Sequence, residues 1–225
     1  MSERTPMTED LFEYQYAGGA VAVPLAPGAP VLWGFASVQA SALVAGLAHV
    51  LESSPFRHMV APGGFRMSVA MTNAGAFGWG SDRTGYRYAD IDPETGRPWP
   101  PMPVAFRRLA MEAAARAGFP GFAPDACLIN RCARGAKLSL HQDQDERALG
   151  APIVSVSLGI PAVFLFGGLP RADRPRRVPF AHGDVVVCGG PARLRYHGVL
   201  PIEDADYPLL GRERINLSFR KTLGG

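Results

Sequence analysis

The chain has 225 residues, 47% of them hydrophobic, with a formal charge of +3 and a pI near 8.9. That length and apolar content suffice to bury a full core in one domain, and they exclude a disordered or collagen-like chain. Mild basicity permits a polyanionic partner without requiring one; the excess of Arg over Lys, 21 to 2, suits bidentate contacts to phosphate or carboxylate, although codon bias explains it more simply. Three cysteines, Cys127, Cys132 and Cys188, form no CxxC and cannot all pair, which points to a reducing compartment. No signal peptide is read at the start and no apolar run reaches spanning length, so the expectation is a soluble, cytoplasmic protein with no membrane partner and, by default, a monomer.

Residues 1–20 mix acidic, aromatic and glycine positions without a period and read as a loose leader to a single domain over 21–225. Ala20–Trp33 is apolar but interrupted by Pro24, Pro27 and Pro30, which suits one or two edge strands because proline cannot donate to a ladder. A helix follows, with Ser37 as N-cap, Val38, Leu43, Leu47, Val50 and Leu51 on one stripe, and a stop at Ser53-Ser54-Pro55. From Phe56 to Tyr88 the pattern turns glycine-punctuated and aromatic; Trp79, Tyr86 and Tyr88 are either a stacking platform for a planar ring or the inward face of a hairpin. Ile91–Pro103 is too rich in proline for regular structure and reads as an ordered connector. Pro103–Ala117 is an amphipathic helix with Phe106, Leu109, Ala110, Ala113 and Ala117 on its core face, Arg107, Arg108 and Arg116 in solvent, and Gly118 as its stop. Beyond it come Cys127–Cys132, Leu138–His141, Ile153–Leu158, Ala162–Phe166, Asp184–Cys188, Arg195–Val199 and Ile215–Phe219, short runs separated by Gly and Pro. They predict a mainly β jelly-roll or cupin-like barrel with two helices packed outside.

His141-Gln142-Asp143 sits at the end of one such run. Alternate side chains of an extended segment share a face, so imidazole and carboxylate project together and supply two thirds of the facial triad that holds non-haem iron(II). His197, beside Gly198 on a later strand, is the candidate third ligand, the glycine allowing another group to approach closely. A second His-x-Asp, His182-Gly183-Asp184, has glycine at its centre and reads as a turn entering a strand. In the run Arg214–Arg220, the polar residues Arg214, Asn216, Ser218 and Arg220 alternate with Ile215, Leu217 and Phe219. This is either a surface strand or a polar face aimed into a barrel mouth, where paired arginines need an anion to offset their charge.

Asn130-Arg131, the HQDQDE run, PIVSVSLGIPAVFLFGG, HGDVVV, Tyr196-His197-Gly198 and RINLSFR together resemble the AlkB family of Fe(II)/2-oxoglutarate dioxygenases, which repair alkylated nucleobases. The resemblance runs from about Ser54 to Arg220, with the upstream helix compatible. It implies a double-stranded β-helix core over about 126–220 and an N-terminal nucleotide-recognition lid over about 56–88. It makes His141, Asp143 and His197 the iron ligands, places Arg214 on the distal carboxylate of 2-oxoglutarate, and sets Asn130, Cys132, Asn216 and Arg220 around the rest of that co-substrate. Trp79, Tyr86, Tyr88, Asp145 and Arg171 fall where the family holds the damaged base and its backbone, with Trp79 and His141 as stacking walls. The arginines at 174, 176 and 177 are read as a solvated loop. Cys132 stands where the family pattern has a tyrosine that bonds the co-substrate, and Cys188 where it has a tryptophan; a thiol is the shorter and weaker donor.

The reaction so implied is oxidative demethylation of 1-methyladenine or 3-methylcytosine in DNA. It consumes O2 and 2-oxoglutarate and releases formaldehyde, succinate and CO2. Single strands are the expected preference over duplex, because the base must leave its stack and a lesion that cannot pair leaves most cheaply. The alternatives are a non-catalytic module that binds alkylated nucleic acid, for which Cys132 is the best argument, and the same chemistry on methylated RNA or protein. A zinc hydrolase fits worst, since it leaves the paired arginines unexplained.

Overall fold

The computed structural model describes residues 22–223, so the leader expected over 1–20 lies outside the described residues. Leu43, Leu47 and Val50 line the buried stripe of α1 (Ala40–Ser53), and Phe106, Leu109, Ala110 and Ala113 line that of α2 (Val104–Arg116). The expected N-cap Ser37 instead opens a short 3-10 turn, Ser37–Gln39, and turns its hydroxyl to His182 O. The tighter winding of that turn takes Val38 off the stripe and leaves it 97% exposed. Gly118, with φ +89°, ends α2 as expected.

The strands are β1 (Ala22–Ala26), β2 (Ala29–Leu32), β3 (Ala70–Gly75), β4 (Gly78–Asp82), β5 (Gly85–Ala89), β6 (Ala126–Cys132), β7 (Leu138–His141), β8 (Ile153–Gly159), β9 (Ala162–Phe166), β10 (Arg176–Phe180), β11 (Val185–Cys188), β12 (His197–Val199) and β13 (Arg214–Arg220). The larger sheet runs β1-β2-β11-β8-β13-β6-β3 and the smaller one β10-β9-β12-β7. From β6 onward the chain supplies four strands to each, which is the double-sheet jelly roll. A separate hairpin, β4-β5, pairs Trp79 with Tyr88 and Ser81 with Tyr86.

Two cores follow from the alternation within the strands. Ile215, Leu217 and Phe219 of the central strand β13 pack with Val154, Val156, Leu158 and the apolar faces of both helices. Each such side chain contributes about 1.5–3 kcal/mol on burial. Between the sheets lie Leu128, Cys132, Ile160, Phe164, Phe166, Val178, Phe180 and Val186. Phe164 stacks on Phe180 with centroids 5.0 Å apart. The arginines expected in a loop at 176 and 177 instead open β10, an edge strand of alternating exposure in which Pro179 is tolerated. Strand β3 had no period to reveal it, because every one of its six residues is buried. Among the described residues no helix is long and apolar enough to cross a membrane.

The connector over 91–103 is anchored by Arg57, which pairs with buried Asp92 and, at 3.3 Å, with exposed Glu94. Arg57 Nη2 and Nη1 donate to Asp92 Oδ1 and Oδ2 at 2.6 and 2.9 Å, and the Arg57 guanidinium lies 5.0 Å over the Trp99 ring. Burial by itself would raise the Asp92 carboxyl, but the paired guanidinium and the Glu94 amide outweigh it and hold it below the ordinary carboxylate value of 3.8. A carboxylate depressed in the folded state stabilises above its unfolded pKa, and that contribution is lost as pH falls through the folded value. Asp92→Asn should therefore cost about 2 kcal/mol in urea unfolding at pH 7, with the gap to wild type closing below about pH 4. A gap independent of pH would show that the ion pair does not contribute.

Candidate metal and co-substrate site

The register of the smaller sheet makes His141 and His197 direct Cα partners across β7 and β12. The close approach depends on Gly198, where an added Cβ would lie 2.6 Å from Leu138 O on the neighbouring strand. The two imidazoles have centroids 4.5 Å apart. Their Nε2 atoms lie 3.8 and 3.6 Å from Asp143 Oδ1 and Oδ2, and one ligand atom from each of the three residues falls within 4.8 Å of the others. Each ring is aimed by a carbonyl two residues back: His141 Nδ1 bonds Ser139 O at 2.8 Å and His197 Nδ1 bonds Arg195 O at 3.1 Å. These carbonyls fix the tautomer that leaves Nε2 free for a metal.

Protonation suits the same purpose. Burial pushes His197 down to about 4, so it is neutral at physiological pH. For Asp143 burial acts upward, yet Arg220 and the two imidazoles prevail and keep the carboxyl well below its usual range. A neutral imidazole and an ionised carboxylate are the forms that bind a divalent cation.

The floor of the site is the inner face of β13 with its neighbours. Arg214 pairs with Cys132 on one side and Gly159 on the other, Asn216 with Asn130 and Ser157, and Ser218 with Leu128 and Ser155. Asn216 Nδ2 donates to Ser155 Oγ at 2.8 Å and Val156 O at 2.9 Å, while its Oδ1 accepts from Asn130 Nδ2 at 3.3 Å and Ser218 Oγ at 3.0 Å. Arg214 Nε donates to Ser157 Oγ at 3.1 Å. Arg214 is 2% exposed and Arg220 6%. Among the described residues, Nη1 of each and Oδ1 of Asn130 are buried without a hydrogen-bond partner. Unpartnered guanidinium donors buried beside a metal-binding face fit a dicarboxylate, which would satisfy them and offset their charge. The Cys132 thiol sits against the Arg214 guanidinium, and burial raises its pKa, so it is a neutral neighbour.

The hairpin β4-β5 brings its aromatics to the same region. Trp79 stacks on Tyr86 with centroids 5.5 Å apart and 17° between planes, and its Nε1 donates to Asp145 Oδ2 at 3.0 Å. Tyr88 turns inward and donates to Glu146 Oε1 at 2.7 Å. Arg171, exposed in the β9–β10 loop, lies 5.5 Å over the ring of Tyr196, next to His197. His182-Gly183-Asp184 is a turn as read: His182 Nδ1 accepts from Gly159 N, and Asp184 accepts from Gly34 N and Ala181 N. Sequence reasoning missed Ser155 and Ser157, whose spacing of two put them on the inner face of an apolar strand, and Glu146 and Arg193, whose pairing across 47 residues left no local signal.

A jelly roll with two histidines and a carboxylate converging above buried arginines is the arrangement of an iron(II)- and 2-oxo-acid-dependent oxygenase. A family model described as the 2OG-Fe(II) oxygenase superfamily matches residues 28–220. The alpha-ketoglutarate-dependent dioxygenase AlkB of Escherichia coli (strain K12) is 57% identical over 198 residues, covering 88% of this chain and 92% of that protein. The solved structure of OsALKBH1 superposes with a TM-score of 0.78 at 30% identity, over 89% of this chain and 100% of that one. A protein of Arabidopsis thaliana named DNA N(6)-methyladenine demethylase ALKBH1D is 38% identical over 112 residues, 45% of this chain and 25% of its own length. The chain belongs to the 2OG-Fe(II) oxygenase superfamily and, within it, to the AlkB dioxygenases.

Arg214→Ala should weaken 2-oxoglutarate binding on the order of 100-fold, the usual cost of truncating one member of a buried charge pair. Co(II) affinity at the histidines should change far less. Titration calorimetry with each ligand separately checks this, and equal losses for both would refute the division of roles.

Proposed function

We propose that this chain is an Fe(II)/2-oxoglutarate-dependent demethylase of alkylated bases in DNA, with 1-methyladenine and 3-methylcytosine as substrates and single strands preferred. It is read as a cytoplasmic monomer, a single dioxygenase domain over 21–225 with a lid at about 56–88 and a catalytic core at about 126–220. The observation that carries this reading is the Trp79–Tyr86 stack with Asp145 on the indole N–H, two residues from the metal-binding carboxylate. An aromatic wall beside a carboxylate suits a flat cationic ring, and N1-methyladenine and N3-methylcytosine are cationic when unpaired.

In this reading His141, Asp143 and His197 hold the iron, while Arg214, Asn130, Cys132, Asn216 and Arg220 surround the 2-oxo acid. The chemistry supplied there is oxidation of the N-methyl carbon to a hydroxymethyl group, lost as formaldehyde, coupled to decarboxylation of 2-oxoglutarate to succinate with O2 as oxidant. The chain's own part is positioning. Trp79 and Tyr86 receive the base, Asp145 offsets its charge, and the buried arginines orient the co-substrate and exclude water from it. In the same reading exposed Arg171 holds a backbone phosphate, and binding then weakens with salt. The lone thiols, all three free, agree with a reducing compartment.

Wild-type protein supplied with Fe(II), 2-oxoglutarate and a 3-methylcytosine single strand should release formaldehyde and succinate in equal amounts, and His141→Ala should release neither. Trp79→Ala should lower kcat/KM on the order of tenfold, as loss of one stacking surface does elsewhere. Faster turnover of the matched RNA strand would move the substrate to RNA. Binding without product would favour the non-catalytic module.

A further inference from the structure

We infer that Glu146 and Arg193 are positioning residues for the metal-binding carboxylate, and that Tyr88 joins the aromatic hairpin to them; this rests on the reading of His141, Asp143 and His197 as iron ligands. Unlike the two histidines, Asp143 lies on no strand. It belongs to an irregular segment that leaves β7 at His141 and enters β8 only at Ile153. A ligand so placed has no ladder to fix it, yet a metal site requires its donors within about 0.5 Å of their working positions.

The fixing comes from Arg193, 4% exposed, at the end of a short 3-10 turn, Gly190–Ala192. Its guanidinium spans the irregular segment: Nη1 donates to Asp143 O at 2.5 Å, Nη2 to Glu146 Oε2 at 2.9 Å, and Nε to Ala151 O at 3.1 Å. Beside it, Gln142 Nε2 donates to Leu194 O at 2.6 Å. The stretch that runs on into His197 therefore grips the stretch that carries Asp143, and the separation of two metal ligands is set by these bonds.

Glu146 extends the grip to the side chain of Asp143 and to the hairpin. It is 5% exposed, accepts from Tyr88 Oη at 2.7 Å, and lies 3.0 Å from Arg220 Nε, off the line of a hydrogen bond but within ion-pair range. Arg220 Nη2 in turn donates to Asp143 Oδ2 at 2.8 Å. By sharing the charge of Arg220, Glu146 keeps that guanidinium in place without consuming its Nη1. The hairpin is latched twice, because the paired positions Trp79 and Tyr88 donate to the consecutive residues Asp145 and Glu146.

The test uses full-length protein and Co(II) as the metal probe, reading the affinity and the visible absorption spectrum that reports ligand geometry, with thermal unfolding alongside. Tyr88→Phe removes only a hydroxyl. Glu146→Gln keeps shape without charge, and Arg193→Lys keeps charge but cannot reach three acceptors. Each should lower Co(II) affinity about tenfold or more and alter the spectrum, as loss of outer partners does at other metal sites, with Tyr88→Phe unfolding at nearly the wild-type temperature. Wild-type affinity and spectrum in all three would overturn the positioning role. Changes in Glu146→Gln and Arg193→Lys with none in Tyr88→Phe would overturn the link to the hairpin. Wild-type Co(II) binding that is indifferent to His141→Ala would instead overturn the iron-ligand reading, and this inference with it.

Discussion

Buried positive charge on the inner face of β13 is the constraint to which the rest of the site answers. Two guanidinium groups taken from water into a sheet interior cannot be left alone, and each is answered differently. Arg220 meets Asp143 and Glu146 within the chain, whereas Arg214 finds a serine hydroxyl and a thiol but no carboxylate, and among the described residues Nη1 of each keeps no hydrogen-bond partner. The first is an internal ion pair that holds the metal-binding carboxylate; the second is a buried cation whose charge a dicarboxylate would suit. Both follow from one strand with strict alternation. Ile215, Leu217 and Phe219 anchor it against two helices, so the intervening polar side chains are forced inward.

Period-two reasoning succeeded wherever a strand has two unlike faces. Arg214, Asn216, Ser218 and Arg220 were separable from their apolar neighbours by spacing, and the structure settles the alternative left open for them: the strand is central and buried, not a surface one. His141 and Asp143 were paired correctly but for an incomplete reason, since Asp143 lies beyond the end of β7 and is held by arginines and not by the pleat. Position 38 failed because a 3-10 turn changes the angular step per residue, which an α-helical stripe does not anticipate. Strand β3 failed because burial on both faces erases alternation.

Contacts between residues far apart in sequence are the other blind spot. Glu146 closes the HQDQDE run, but nothing local links it to Arg193, 47 residues away; their pairing exists only once the jelly roll has folded. For Trp79 and Tyr86 pattern alone leaves two options, and Asp145 is singled out only by the family resemblance. In the structure Trp79 touches both of the others, stacking on Tyr86 and donating to Asp145, while Tyr88 is directed toward the charge network beneath.

The hydrogen bonds from the imidazole Nδ1 atoms to Ser139 O and Arg195 O tie the metal site to the main chain itself. Each ring takes its aim from a carbonyl two residues back, so the orientation of both imidazoles is carried by backbone conformation and not by a neighbouring side chain. No point substitution removes a main-chain acceptor, so these two bonds yield only to a change in the path of the backbone.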